Sequence, residues 1–272
     1  MNVRILVMLT GFFVFSAIGM PAPKPSLIKI IRDKEKSEDQ KIAAIEQLIK
    51  EGINVNTKSE DIPYFTPLMI AADLGYINVV KALLDRGADI NAMDNLHTPA
   101  IFYAARKGHI DIVQLLISRG AVITGITKQG NTILLDILRS YGANQPDAKD
   151  KQRRDQFKKN ILSVIELLIK NGADINKQGN TSELARNPIM WAAFWKDLNL
   201  IKLLKEKGAD LTRKDQFGND LSFYLPDPSK DKDLTPADIA FIRELREELL
   251  ESGWTQIKKP ESLDSSWREI SK

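Results

Sequence analysis

The sequence predicts an all-α solenoid of stacked helix–turn–helix units, joined by short hairpin-like turns and closed by irregular caps. Three observations carry that prediction. First, a five-residue pattern opening with glycine returns five times: Gly52-Ile53-Asn54-Val55-Asn56, Gly87-Ala88-Asp89-Ile90-Asn91, Gly120-Ala121-Val122-Ile123-Thr124, Gly172-Ala173-Asp174-Ile175-Asn176 and Gly208-Ala209-Asp210-Leu211-Thr212. These glycines lie 35, 33, 52 and 36 residues apart, and a period near 33 marks a stacked repeat. Second, a pair of alanines and then a pair of leucines precede the glycine in three units: Ala71-Ala72 and Leu83-Leu84, Ala104-Ala105 and Leu115-Leu116, Ala192-Ala193 and Leu203-Leu204. Third, those units open on Thr66-Pro67, Thr98-Pro99 and Asn187-Pro188, where a capping side chain is followed by a proline that fits the first helical position. Such a unit cannot bury its own apolar face. It stacks on its neighbours and leaves a long concave surface with no enclosed pocket, a surface suited to holding another macromolecule.

The chain opens on a segment set apart from the repeats. Arg4 precedes an uncharged apolar run over 5–18, and Ala17-Ile18-Gly19 offers small residues before Met20, with Pro21, Pro23 and Pro25 beyond. Basic start, apolar core and small-x-small site predict a secretory signal peptide over 1–19. The alternative is an uncleaved anchor, since a stretch of about 20 apolar residues can span a bilayer. Either reading puts the body of the protein, 20–253, outside the cytoplasm.

Within that body, residues 26–57 predict a helix pair that caps the first repeat. The first full unit, 61–94, has Val79, Val80, Leu83 and Leu84 at helical spacing. Its Gly75 and Gly87 suit helix stops, and Asp89, Asn91 and Asp94 suit turns that bond their own backbone. In the second unit, 95–127, Thr98 lies 32 residues after Thr66 but Gly108 lies 33 after Gly75. One residue is gained, which predicts a shifted start to its first helix. The third unit, 128–176, departs most: Ile137 and Leu138 replace the alanine pair, and roughly 19 residues are added over about 140–159, with six basic and three acidic side chains. This insertion reads as a solvated loop or a helix extension. The fourth unit covers 177–214, where Gly179-Asn180-Thr181 is a displaced opening. A cap follows over 215–253, with a helix from Thr235-Pro236 to about Glu251 and a stop at Gly253. The tail, 254–272, carries no repeat; Trp254, Ile257, Leu263 and Trp267 could strap it to the body.

These features resemble the ankyrin repeat. Thr66-Pro67-Leu68, Ala71-Ala72, Gly75, Leu83-Leu84 and Gly87-Ala88-Asp89-Ile90-Asn91 fall where that family's motif puts them, with Met69 standing at its usual histidine. The resemblance covers roughly 26–253. It implies contacts at the tips between repeats and at the exposed positions of each first helix. At the tips these are Ile62, Tyr64 and Phe65, then Asn95, Leu96 and His97, then Lys128 and Gln129, then Gln216 and Phe217. After the alanine pair they are Asp73 and Leu74, Arg106 and Lys107, and Phe194 and Trp195. Two groups stand out chemically. Ile62, Tyr64 and Phe65 are apolar where water favours polar side chains, unless they pack on the N-terminal cap. Phe194 and Trp195 are aromatic anchors of the sort found in binding hot spots, unless helix 235–251 or the tail buries them.

Composition narrows the chemistry. No cysteine is present, so there is no disulfide, thiolate metal site or cysteine nucleophile. His97 and His109 are the only histidines, 12 residues apart on different elements. No metal site is expected from them, and His109 reads as a structural hydrogen-bonding residue. Net charge is +3 with both signs interspersed, which does not favour nucleic acid. No phosphate-binding glycine loop, dinucleotide fingerprint, GxSxG or HExxH occurs. The repeated Asp89, Asp174 and Asp210 answer a turn requirement rather than acid catalysis. The sequence therefore predicts a non-enzymatic, cofactor-free scaffold that binds a protein partner in the periplasm or envelope, with no small-molecule substrate. A secreted effector acting on another cell and a membrane-anchored envelope subunit are the alternatives.

Overall fold

The computed structural model describes residues 26–60, 63–179, 185–231 and 234–251. The expected signal segment, Ile62, Asn180-Thr181, Gly253 and the tail lie outside them. Twelve helices and no strand occur among the described residues, an all-α repeat solenoid. They fall into six consecutive pairs: α1 (Leu27–Arg32) with α2 (Glu38–Lys50), α3 (Pro67–Leu74) with α4 (Ile77–Asp85), α5 (Ala100–Arg106) with α6 (Ile110–Ser118), α7 (Ile133–Asn144) with α8 (Lys151–Lys170), α9 (Pro188–Phe194) with α10 (Leu198–Glu206), and α11 (Leu221–Tyr224) with α12 (Pro236–Glu251). First helices pack in series from α1 to α11, and second helices from α2 to α10. The twelfth joins the outer layer through Lys202 to Asp238 at 3.2 Å and Lys205 to Glu248 at 2.5 Å.

Local chemistry explains the boundaries. The Thr66 hydroxyl accepts the Met69 amide at 3.3 Å, and the Met69 sulfur receives the Thr66 amide at 3.4 Å. A reciprocal cap is thus kept although methionine replaces the histidine of the family motif. Asn187 caps α9 through a single bond, accepting the Met190 amide at 3.1 Å. In α5 the added residue has the expected effect: the helix begins at Ala100, two positions after Thr98, rather than directly after its threonine. Gly75 ends α3 with φ +80° and faces His109, where a Cβ would stand 2.7 Å from the ring. Both the backbone angle and the contact demand glycine there. His109 Nε2 lies 3.1 Å from the Asp73 carbonyl, which ties the second repeat to the first.

The core is a continuous column. Ala71, Ala72, Ala104, Ala105, Ala192 and Ala193 are fully buried between first helices, beside the leucine and isoleucine stripes of the second helices. Each large aliphatic so buried contributes about 1.5–3 kcal/mol. In the fourth pair Ile137 and Leu138 are buried just as completely. The insertion lengthens both helices of that pair: α7 runs on to Asn144, and α8 starts at Lys151 under an Asp150 cap that accepts the Arg153 amide at 3.0 Å. The first turns of α8 are solvated. Phe157 then joins the core and stacks on Tyr141 at 5.9 Å.

Two polar devices recur along the stack. The asparagine closing the glycine pattern bridges to the next repeat. Asn56 Oδ1 accepts the Asp89 amide at 2.8 Å, Asn91 Oδ1 accepts the Val122 amide at 2.9 Å, and Asn176 Oδ1 accepts the Asp210 amide at 2.7 Å. Thr124 holds that position in the second unit, and among the described residues no such bridge starts from it. The aspartates behave as expected, with Asp89 and Asp174 accepting the amides of Asn91 and Asn176 at 3.0 and 2.8 Å. The hairpin-like pairing predicted for the turns is reduced, among the described residues, to the single bridge of Met93 with Pro99. The second device joins a buried tyrosine to an aspartate. Tyr103 donates to Asp94, Tyr141 to Asp197 at 2.5 Å and Tyr224 to Asp215 at 2.5 Å. Burial is the main cause that lifts all three phenols above their usual range, Tyr224 to about 12.

Two outcomes follow for stability. Asn91→Ala should lower the unfolding free energy by about 1 kcal/mol, the worth of a half-exposed side-chain-to-backbone bond, read from urea denaturation at neutral pH. The tyrosines hold their protons more tightly folded than unfolded. Their contribution is complete below the unfolded phenol value of about 10 and is lost as pH rises beyond it. Denaturation in urea should therefore become easier above that pH. Tyr141→Phe should be less stable at neutral pH yet lose less on alkalinisation; an unchanged alkaline slope would rule out that linkage.

Candidate partner-binding surface

The tips are built by carboxylates that gather backbone amides. Asp94 Oδ1 accepts the Leu96 and Thr98 amides at 2.7 and 2.9 Å, while its second oxygen takes the Tyr103 hydroxyl. Asp215 repeats this with the Phe217 and Asn219 amides, both at 2.8 Å. Thr127 serves at the tip that opens the third unit, its hydroxyl accepting the Asn131 amide at 3.2 Å. The turns throw the intervening side chains outward. Leu96 is 38% exposed, Phe217 64% and Tyr64 42%. Tyr64 and His97 hold left-handed backbone, φ +63° and +58°. Adjacent tips are tied together, the Asn95 amide bonding the Pro63 carbonyl at 3.1 Å and the Lys128 amide bonding the Leu96 carbonyl at 2.8 Å. A row of fixed tips thus runs across the first three units.

Beside that row, the ends of α1, α3 and α5 enclose a cleft of about 150 Å³ lined by Arg32, Phe65, Met69, Ile70, Asp73, Leu74 and Tyr103. Three positions expected at the surface, Phe65, Asp73 and Leu74, meet there. Phe65 is half-buried and sets its ring edge-on to Tyr103, 5.3 Å between centroids. It packs on the following unit and forms part of the cleft wall, while its neighbour Tyr64 stays open to water. Leu74 is 40% exposed. Sequence reasoning passed over Arg32 and Tyr103. Tyr103 stands directly before an alanine pair, at the position of Ile70, and Arg32 ends a first helix, as Leu74 does; both registers were available to be read.

Further along the face, charge replaces apolar surface. The Arg106 guanidinium lies over the Tyr103 ring at 4.5 Å and pairs with Asp136 at 3.3 Å. Lys107 Nζ donates to neutral Asn144 at 2.8 Å. Lys128 is exposed at its tip and Gln129 is half-exposed beside it.

Phe194 and Trp195 occupy a different setting. Neither lies beneath α12. Trp195 donates its indole N–H to the Leu138 carbonyl at 2.6 Å, and its ring presses on Gly142, where a Cβ would come within 2.3 Å. Phe194 meets Trp191 and Trp195 at 5.5 and 5.1 Å, and the buried Arg186 guanidinium sits 4.5 Å from its centroid. Both aromatics are half-buried, and Trp195 acts as a strut between α9 and α7. Gln216 and Phe217 belong to the last tip, in the sixth pair, away from the cleft.

Among the described residues, no group of three or more His, Asp or Glu could hold a metal ion, and no helix is long and apolar enough to cross a membrane. The arrangement offers tips, an apolar cleft and cationic side chains: contact chemistry.

Comparison with known families agrees with this geometry. A model of ankyrin repeats in three copies matches residues 36–127, and a single ankyrin repeat matches 186–216. Residues 128–185, where the alanine pair is lost and α7 and α8 are lengthened, lie between the two matches. Bridged tips, paired helices and an open face of first helices are the parts of a protein-interaction scaffold, and the chain carries the ankyrin repeats that build one.

Proposed function

We propose that this protein is a non-enzymatic scaffold that acts outside the cytoplasm, in the periplasm or cell envelope, by holding a protein partner on the tips and first-helix face of its opening repeats. The exposed apolar trio of Tyr64, Leu74 and Leu96 carries this reading. These side chains project from positions fixed by buried aspartate and backbone bonds, and large exposed apolar groups on an ordered surface mark contact sites. A rigid surface loses little entropy on docking. Export is supported by the basic-apolar-small pattern of residues 1–19 and by the lack of cysteine throughout the chain.

The test is capture from the native envelope by the tagged full chain, with mass spectrometry of what is retained. One envelope protein should be recovered by the wild type. It should fall by roughly tenfold or more with Leu74→Asp plus Leu96→Asp, as expected for loss of a binding hot spot, while far-UV circular dichroism stays unchanged. Equal capture by the folded variant would remove this face from the proposal. The intact mass of the captured bait reports export, with cleavage before Met20 expected. An uncleaved chain held in the membrane would favour an anchored subunit, and recovery mainly from the medium would favour a secreted effector.

A further inference from the structure

We propose that the occupant of this face is an extended acidic segment of a partner protein, with one large apolar side chain seated in the cleft between α1, α3 and α5. The inference rests on the protein-binding reading above and adds the chemistry of the partner. Cleft size comes first. A space of about 150 Å³ has room for one aliphatic or aromatic side chain and falls well below the ~300–1,000 Å³ of small-ligand pockets. Its walls, Phe65, Met69, Ile70, Leu74 and the ring of Tyr103, offer an apolar group contact on several sides. The polar atoms at its rim belong to Arg32 and Asp73, so a charged side chain of either sign would face a like charge there. An uncharged anchor avoids that conflict.

Charge beyond the cleft sets the rest of the segment. Passing from α5 to α7, the face presents Arg106, Lys107 and Lys128. The matching carboxylate is Asp136, which is buried and already engaged by Arg106. Lys107 is bonded to a neutral amide and Lys128 is exposed. A bound chain leaving the cleft toward the third unit therefore meets net positive charge, and carboxylates on that side of the anchor complement it. Interactions of this exposed kind raise association rate and selectivity and weaken with salt. The cleft and the cations together specify a direction: anchor first, at the opening repeats, and acidic residues toward the insertion.

A random-peptide display library panned against the full chain tests this, followed by fluorescence anisotropy with a fluorescein-labelled peptide of the enriched sequence. Enriched peptides should carry one Leu, Ile, Met or Phe with two or more Asp or Glu on one side of it. Binding should weaken by roughly tenfold with Lys107→Glu plus Lys128→Glu, and by at least as much with Leu74→Asp. It should also weaken on going from about 0.05 to 0.5 M salt. Circular dichroism of each variant separates lost binding from lost folding. Peptides that depend on Leu74 but carry no acidic residues, and ignore the lysine changes, would overturn the acidic partner while leaving the face as a protein-binding site. Peptides indifferent to Leu74→Asp would overturn both. Self-association that is abolished by Leu74→Asp and competes with the peptide would assign the cleft to a second copy of the chain and overturn the proposal.

Discussion

Close approach of consecutive first helices through paired alanines is the constraint on which the other features depend. Ala71-Ala72, Ala104-Ala105 and Ala192-Ala193 carry no side chain beyond Cβ and are fully buried, so each helix can settle against the next with little side-chain volume between them. That proximity lets a single asparagine span two repeats, lets Asn95 reach the Pro63 carbonyl, and brings Phe65 of one unit onto Tyr103 of the next. With wider spacing these bonds would be out of range, and the tips would be separate loops rather than a tied row. The tight interior resembles close packing elsewhere in proteins, where one extra methylene is felt.

Where the third unit breaks this rule, the structure compensates in a specific way. Ile137 and Leu138 fill the place of alanines, and both are buried without loss of the column. One turn later Gly142 removes a side chain altogether, and Trp195 of the following unit lies on the bare backbone with its N–H on the Leu138 carbonyl. Volume gained at one position of α7 is given back at another. Tyr141 and Asp197 join the same contact, since the phenol bonds the carboxylate that also caps α10 by accepting the Leu200 amide at 3.2 Å. A tertiary bond and a helix cap thus share one buried residue.

Much of the fold was legible because the repeat is written in local signals. Thr66-Pro67 states where α3 starts, Gly75 where it stops, and the 32-against-33 spacing of the second unit shows up as a later start to α5. The long insertion was readable only as two alternatives. Its composition is mostly polar, and the choice between loop and helix depends on Phe157 finding Tyr141 across the turn between two helices. The site was legible in outline. Tyr64 and Leu96 are exposed at their tips, as a polar-favouring position occupied by an apolar residue suggests. Trp195 shows the limit of that reasoning. Its position after the alanine pair is the same as that of Lys107, yet its surroundings are set by a glycine 53 residues earlier. Nothing near Trp195 in the sequence announces that partner.

Helix length decides which part of the face stays open. First helices are short at the start of the stack: α1 ends at Arg32, α3 at Leu74 and α5 at Arg106. Side chains that follow their alanine pairs, or stand at the equivalent end, project past the neighbouring helix and line a cleft. The seventh helix runs about one turn and a half further, to Asn144. That added length reaches Lys107 on one side and covers Trp195 on the other. The same position in the repeat is therefore an exposed side chain at Leu74 and an internal strut at Trp195. The difference comes from the neighbour rather than from the residue. The insertion, which looks like an interruption of the repeat, thereby closes the face beside Lys107 and Trp195 and leaves the cleft with its exposed Leu74 to the opening repeats.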